Sequence, residues 1–561
     1  MERDPDNTNT RRGDIATMLL DRRRDEHPGL RTRTAEWSWD EVVREAAARA
    51  ALARELRRDG PFHIGVLLAN EPDFVFWLGA AALAGATIAG LNPTRSGPQL
   101  ERDIDYVDCQ LIVTDAAGMN RLRGLDHGLT DDRFLLIDDP AYTERLAAHR
   151  DTRGEAYAGP ETLLLLLFTS GTTGESKAVK CTQRRLAAIA HAATDKFGHK
   201  RADVDYCCMP LFHGNAIMAL WAPALSNGAT ICLTPQFSAS GFLDDVRYFE
   251  ATFFTYVGKA LGYLLATPPT DADADNRLER GFGTEASVDD QAEFHRRFGA
   301  RLHEGYGSSE GAGLVALAPD APAAALGRPA HAGVAVIDPE TLNDCAPAKL
   351  DEHGRVLNAD EAIGEMVDKA GSLSFEGYYK NDAADAERLR NGWYWTGDLG
   401  YIDDAGFLYF AGRKGDWIRV DGENISALRI ERVLRRHPSV VATAVFAVPD
   451  PRSGDQVMAA VEVAEPGAFD IARFIEFLGA QADLGSKDTP RLIRVSTRLP
   501  VTGSNKVLKR ELQAQFWRTQ DLILRWAGRG TPDYRPMSAA DKTGLEAEFA
   551  RHGRERLLRE R

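Results

Sequence analysis

The ten residues Phe168-Thr169-Ser170-Gly171-Thr172-Thr173-Gly174-Glu175-Ser176-Lys177 hold five hydroxyls, two glycines and one lysine. Glycine lets the main chain turn its N–H groups toward an anion, and hydroxyls with an ammonium complete such a cradle. An apolar run from Leu163 to Leu167 leads into it. That run is short enough for a buried strand and too short to cross a bilayer. A strand feeding a hydroxyl-rich loop reads as a polyphosphate site. It is not a Walker loop, because no glycine immediately precedes Lys177. A Ser/Thr/Gly-rich surface turn is the plainer alternative.

Four further places carry chemistry. Tyr306-Gly307-Ser308-Ser309-Glu310 supplies an aromatic face, hydroxyls and a carboxylate. A nucleotide held with a magnesium ion needs a stacking surface, a phosphate contact and a hard oxygen ligand. Asp398, behind Gly397, has the chemistry to accept two hydrogen bonds from a ribose diol, or only to cap its own turn. Lys506 closes Leu499-Pro500-Val501-Thr502-Gly503-Ser504-Asn505-Lys506, where a lysine is ordinarily just a solvated charge. His213, beside Gly214 after the apolar stretch Tyr206 to Met209, is either a substrate neighbour or a satisfied loop residue.

Elements must position these groups. Helical spacing marks Ile15 to Arg23, Trp39 to Arg58, Glu71 to Ala84 and Gln183 to Phe197, with Gly85 where a C-cap would sit. Strand-like stretches are His63 to Leu68, Ala86 to Leu91, Gln110 to Thr114 and Ala251 to Gly258. Strands alternating with helices imply a parallel sheet covered on both faces. Val440 to Val448, Gln456 to Val463 and the helix Asp470 to Ala480 follow later. At 561 residues the chain exceeds one ordinary core, so at least two domains are expected. The net charge of −15 argues against a nucleic-acid surface. No apolar run is long enough to span a membrane, and Met1 to Asp14 lacks the apolar core of a signal peptide. A cytoplasmic location is therefore expected. Six scattered cysteines without a C-x-x-C pair read as reduced, mostly buried thiols.

In this order, the motifs resemble those of the adenylate-forming superfamily, which includes acyl-CoA synthetases, luciferases and peptide-synthetase adenylation domains. The likeness runs from about Ile15 to Arg510, and the stretch 251–265 is similar to the very-long-chain acyl-CoA synthetase and fatty-acid-transport-protein branch. The resemblance implies a mixed α/β fold: a large N-terminal domain of stacked α/β subdomains and a small mobile C-terminal α+β domain. It places the large domain at 14–411 and the small one at 412–530, after a disordered 1–13 and before a tail, 531–561, expected to pack loosely or fray.

The resemblance also implies roles. Thr169, Ser170, Gly171, Thr172, Thr173, Gly174 and Lys177 would hold phosphates. Gly283, Thr284 and Glu285 would lie against the adenine, although the common wording there is Gly-Gly-Ala-Pro. Tyr306 would stack on the base, Gly307 and Ser308 would form its turn, Ser309 would touch phosphate or the acyl carboxylate, and Glu310 would bind Mg²⁺. Asp398 would bind the ribose and Arg413 the ribose or phosphate. Gly422 would let the pantetheine arm of CoA pass, and His213 would sit by the substrate carboxylate or gate the acyl channel. Lys506 would be the adenylation lysine. The chain departs from the family pattern at Ser176 (proline is usual), Glu175 (an acid in an anion site), Gly415 (Asp or Lys at the hinge), Asn505 (glycine) and Arg429 (glutamate), while Glu431 is kept.

The activity so implied is an AMP-forming acyl-CoA ligase. A carboxylic acid and ATP give acyl-AMP and pyrophosphate, and CoA then takes the acyl group with release of AMP. ATP/AMP, Mg²⁺ and coenzyme A are the expected cofactors, with no nucleic-acid partner and the oligomeric state open, a homodimer included. Three alternatives accompany it: an enzyme that only transfers ready-made acyl-adenylates to CoA, an adenylation enzyme loading a carrier protein, and a non-catalytic acyl-binding relative.

Overall fold

The computed structural model describes residues 13–558 apart from residues 96, 171–175, 312, 319, 323, 353, 355, 372–373, 414–416, 421–422, 453, 466, 468, 482–483, 486, 503–505 and 527–532. The chain divides into two compact units. One comprises residues 1–286, 291–312 and 374–385; the other comprises 287–290, 313–373 and 386–561.

The first unit contains two largely parallel sheets. One has six strands in the order Phe134–Leu136, Cys109–Thr114, His63–Leu67, Thr87–Gly90, Leu163–Ser170 and Ser176–Thr182. Only its last pair is antiparallel, and its register places Thr169 opposite Lys177. The other sheet has seven strands in the order Arg301–Glu304, Arg280–Thr284, Phe253–Val257, Val204–Cys207, Thr230–Leu233, Pro28–Arg31 and Glu36–Ser38. All but the last pair run parallel. Parallel strands end together, so every loop leaving a carboxyl end emerges at the same edge.

Local chemistry fixes the helices. Helix Trp39–Glu55 begins in a capping box between Ser38 and Glu41. Helix Pro72–Ala84 has proline in its first turn and is buried at every position from Phe74 onward, as an all-apolar helix must be. It ends at Gly85, whose φ of 73° is left-handed. Helix Gln183–Phe197 matches the expected bounds and is capped by Thr182.

The second unit has an antiparallel sheet carrying Val334–Ile337, Gly364–Asp368, Trp393–Ile402 and Leu408–Arg413. It also has a five-stranded sheet ordered Ala442–Pro449, Asp455–Glu462, Leu492–Ser496, Leu522–Arg525 and Arg535–Pro536. The tail corrects an expectation: its described residues, 533–558, pack against the second unit. Arg535–Pro536 extends this sheet. Helix Ala539–Arg551, opened by a capping box from Ser538, buries Leu545 and Phe549. These join Leu558, Trp517, Phe446 and Met458 in one apolar cluster. Two anchors one turn apart are enough to dock a helix whose remaining face is charged, and that charge masked the signal in the sequence. Phe549 is fully buried, with its ring 5.9 Å from that of Trp517. Phe549→Ala is therefore expected to destabilise the second unit by about 3–5 kcal/mol, read from urea unfolding; an unchanged midpoint would mean the helix does not contribute.

Candidate active site

Glu310 is the centre of the site in the first unit. Its side chain is buried, and its Oε1 accepts hydrogen bonds from the Tyr378 hydroxyl at 3.1 Å and from Thr169 Oγ1 at 3.4 Å. Lys177, on the strand opposite Thr169, holds its Nζ 5.3 Å from the centre of the Tyr378 ring. Arg185, in the first turn of its helix, donates from Nη2 to the carbonyls of Ser309 (2.7 Å) and Glu310 (3.1 Å) and from Nη1 to that of Lys180 (2.7 Å). Glu376 accepts from the N–H and hydroxyl of Thr182, and Asp385 accepts from the N–H of Tyr378. The returning segment 374–385 is thus stitched to the strand and helix that follow residues 171–175.

The structure brings Thr169, Lys177, Ser309 and Glu310 into one neighbourhood. It adds Tyr378, Arg185, Glu376 and Arg95, which sequence reading did not select. Tyr378 lies 68 residues from Glu310, and no spacing rule joins them. Gly171, Thr172, Thr173, Gly174 and Glu175 lie outside the described residues, as does the side chain of Ser170. Ser176, standing where proline is usual, accepts a hydrogen bond from Arg95, which also pairs with buried Asp103.

His213 is half-buried before the short helix Gly214–Ala216, its ring 4.7 Å from that of Phe212. A Cβ built at Gly214 would stand 3.2 Å from Ser309 Oγ, 3.4 Å from Met218 Sδ and 3.7 Å from Leu167. The His213–Gly214 turn therefore abuts Ser309. It runs into a π-helical turn, Ile217–Trp221, a feature common at functional sites.

Gly283 and Thr284 end one strand and Glu285 follows it, while Tyr306, Gly307 and Ser308 follow the next; Gly307 and Ser308 are exposed. A Cβ on Gly283 would strike the Tyr256 ring, and one on Gly258 would strike the Glu285 carbonyl at 2.2 Å. Glu285 itself has a φ of 74°, a strained value for a residue with a side chain. Glu304 ties these ends together: its Oε1 accepts from the Tyr256 hydroxyl at 2.6 Å. Burial pushes its carboxyl up to about 7, against hydrogen bonds from Tyr256 and from the main chain at Ala286 and Glu285.

In the second unit Asp398 stands opposite Arg413, Oδ1 to Nε 3.6 Å, and Arg413 is exposed. The turn is capped by other groups: Thr396 Oγ1 accepts from the Asp398 N–H, and Glu365 accepts from the Gly397 N–H. The turn thus has caps other than the Asp398 carboxylate. Lys506 is half-buried, its N–H bonded to Thr502 Oγ1 and its carbonyl accepting from the Thr502 N–H. Glu431 accepts from the Val445 N–H and pairs with Lys509, while Arg429 pairs with Asp488. Gly415, Gly422 and Asn505 lie outside the described residues.

Residues 20–379 match the AMP-binding enzyme family, and residues 429–506 match the AMP-binding enzyme C-terminal domain. The chain belongs to the AMP-binding enzyme family. It is 68% identical over 546 residues to a steroid-22-oyl-CoA synthetase of Rhodococcus jostii, covering 97% of this chain and 98% of that one. It is 45% identical over 480 residues to the medium/long-chain-fatty-acid–CoA ligase FadD17 of Mycobacterium tuberculosis, covering 85% and 91%. The fold matches ATP-bound MatB from Rhodopseudomonas palustris (TM-score 0.76, 23% identity, 90% and 98% covered). It also matches the anthranilate CoA ligase AuaEII with anthranoyl-AMP (TM-score 0.76, 19% identity, 89% and 96% covered). The mixed α/β class expected from the sequence holds, and the enzyme is an AMP-forming acyl-CoA synthetase that uses ATP and CoA. Among the described residues no helix is long and apolar enough to cross a membrane.

Glu304 yields a signed pH effect. Its folded value of about 7 lies above the ordinary 4.5, so the folded state binds the proton more tightly. Its stabilising contribution is complete below pH 4.5 and is lost as pH rises through 7. Glu304→Gln keeps an acceptor for Tyr256 and removes the charge. At pH 8 it is expected to stabilise the first unit by about 2 kcal/mol, with little effect at pH 4.5. Parallel melting curves for both proteins across that range would refute the assignment.

Proposed function

We propose that the enzyme activates a steroid bearing a C22 side-chain carboxyl, the acid class named by the Rhodococcus jostii relative. The observation that carries this is 68% identity over 97% of the chain, against 45% over 85% for a ligase named for fatty acids. Leu167 and Met218, the apolar neighbours of Gly214 beside Ser309, favour an apolar acyl group there. ATP and CoA pools support a cytoplasmic location.

In this reading the carboxylate attacks the α-phosphorus of ATP and pyrophosphate leaves; the CoA thiol then attacks the acyl carbon and AMP leaves. Thr169 to Gly174 and Lys177 hold the β- and γ-phosphates. Tyr306 stacks on adenine while Gly283, Thr284 and Glu285 border it, with Gly307 and Ser308 turning the chain at the base. Ser309 and His213 flank the reacting carboxylate. Asp398 and Arg413 grip the ribose, and Gly422 passes the pantetheine arm. Lys506 offsets charge at the α-phosphate during adenylation. The proposed boundary at 411/412 lets the small domain present Lys506 for the first step and Gly422 for the second. Glu310 and Thr169 offer oxygen donors only, which suit Mg²⁺; that ion, when bound, neutralises phosphate charge. Arg95 sets a guanidinium on Ser176, next to the phosphate segment. This favours use of ATP over the transfer-only alternative.

Two outcomes test the proposal. Lys506→Ala is expected to lose about 10²–10³-fold or more in acyl-AMP formation, measured by pyrophosphate exchange, while still converting supplied acyl-AMP and CoA to thioester; equal losses in both steps defeat the assignment. With purified enzyme, kcat/KM for a steroid-22-oic acid is expected to exceed that for palmitate by at least about tenfold, on the order of 1.4 kcal/mol. A preference for palmitate would replace the steroid with a fatty acid.

A further inference from the structure

The edge of the seven-stranded sheet opposite the candidate site holds a second set of ionisable groups. Val204–Cys207, Phe253–Val257 and Arg280–Thr284 run parallel, so their amino ends lie together, away from Glu285 and Tyr306. There His199, just beyond helix Gln183–Phe197, meets Asp203 and Asp205. All three are buried, and the side chains of His199 and Asp205 are wholly inaccessible. His199 Nδ1 lies 3.5 Å from Asp205 Oδ2 and 3.9 Å from Asp203 Oδ2. One donor atom from each residue falls within 4.8 Å of the others, the single cluster of three so spaced among the described residues.

Asp203 already accepts from Lys200 N, Thr252 Oγ1 and Arg280. Asp205 differs: neither carboxylate oxygen has a hydrogen-bond partner, and neither ring nitrogen of His199 has one. Orphaned buried groups cost about 1–3 kcal/mol each, and an uncompensated buried charge costs more. Two carboxylates face one guanidinium, so one negative charge remains for a proton or a cation to balance. A proton shared between His199 and Asp205 needs nitrogen and oxygen about 2.7–2.9 Å apart, and the 3.5 Å gap is too wide. Ligand atoms each about 2.0–2.2 Å from one tetrahedral zinc stand about 3.3–3.6 Å from one another; the His199–Asp205 pair meets this at 3.5 Å, and Asp203 Oδ2, at 3.9 Å from His199, has to move closer by a few tenths of an ångström.

We propose that His199, Asp203 and Asp205 form a buried site for a zinc-type divalent transition metal, structural rather than catalytic. The ion pins the end of helix Gln183–Phe197 to the base of strand Val204–Cys207, and a water takes the fourth position. Imidazole and carboxylate donors suit such an ion. The site does not depend on which acid the enzyme activates.

The test is metal analysis of untagged full-length enzyme, expressed with zinc and dialysed against chelator without nucleotide. Inductively coupled plasma mass spectrometry is expected to find about one zinc per chain in the native protein and almost none in His199→Gln or Asp205→Asn. Refolding with Co²⁺ is expected to give the visible bands of tetrahedral cobalt. Absence of stoichiometric metal from the native protein overturns the proposal and leaves a proton on Asp205. Full zinc content in either variant overturns it as well. If neither variant folds, the native metal content and the cobalt spectrum decide between the same two outcomes.

Discussion

One guanidinium joins the parts of the candidate site. Arg185 donates to three main-chain carbonyls, those of Lys180, Ser309 and Glu310. A buried cation that donates to carbonyl oxygens fixes backbone rather than side chains. It sets the strand after the phosphate segment and the Tyr306–Glu310 motif at one separation. Glu310 then meets Thr169 and Tyr378, and Lys177 lies over the Tyr378 ring. With Arg185 replaced, the three carbonyls would lose their shared donor and the two motifs would no longer be held in register.

The second constraint is the direction of the sheet. Because the strands run parallel, Cys207, Val257, Thr284 and Glu304 end at one edge, and the loops after them share that space. The close packing is costly: glycine at 258 and 283, a left-handed Glu285, and a carboxyl at 304 raised by burial. Strain and perturbed ionisation gather at this one edge, as they do at functional sites.

Much of this was legible in the sequence. Periodicity located helix Gln183–Phe197, and Gly85 announced its own cap. Motif order placed Thr169, Lys177, Ser309 and Glu310 in one working set, and the structure brings them together. Tyr378, Arg185 and Arg95 were not legible. Each acts across a long stretch of chain, and tyrosine or arginine in a helix or loop carries no spacing signature. The tail was misjudged because a charged helix hides two buried anchors, Leu545 and Phe549, within ordinary surface composition. The His199–Asp205 cluster was missed for the opposite reason: its residues are close in sequence, yet only burial shows that they lack partners.

Residues 374–385 belong to the first unit although the preceding 61 residues, 313–373, belong to the second. Synthesis is vectorial, and nascent domains fold as units from the amino end. The first unit therefore cannot finish as its own core emerges from the ribosome. Until residue 385 has left the tunnel, Glu310 lacks Tyr378 and Thr182 lacks Glu376. A buried carboxylate that still lacks one of its two hydroxyl donors keeps that corner of the nascent unit open. This corner of the candidate site is thus among the last parts of the first unit to close, and the time taken to translate 313–385 sets how long it waits.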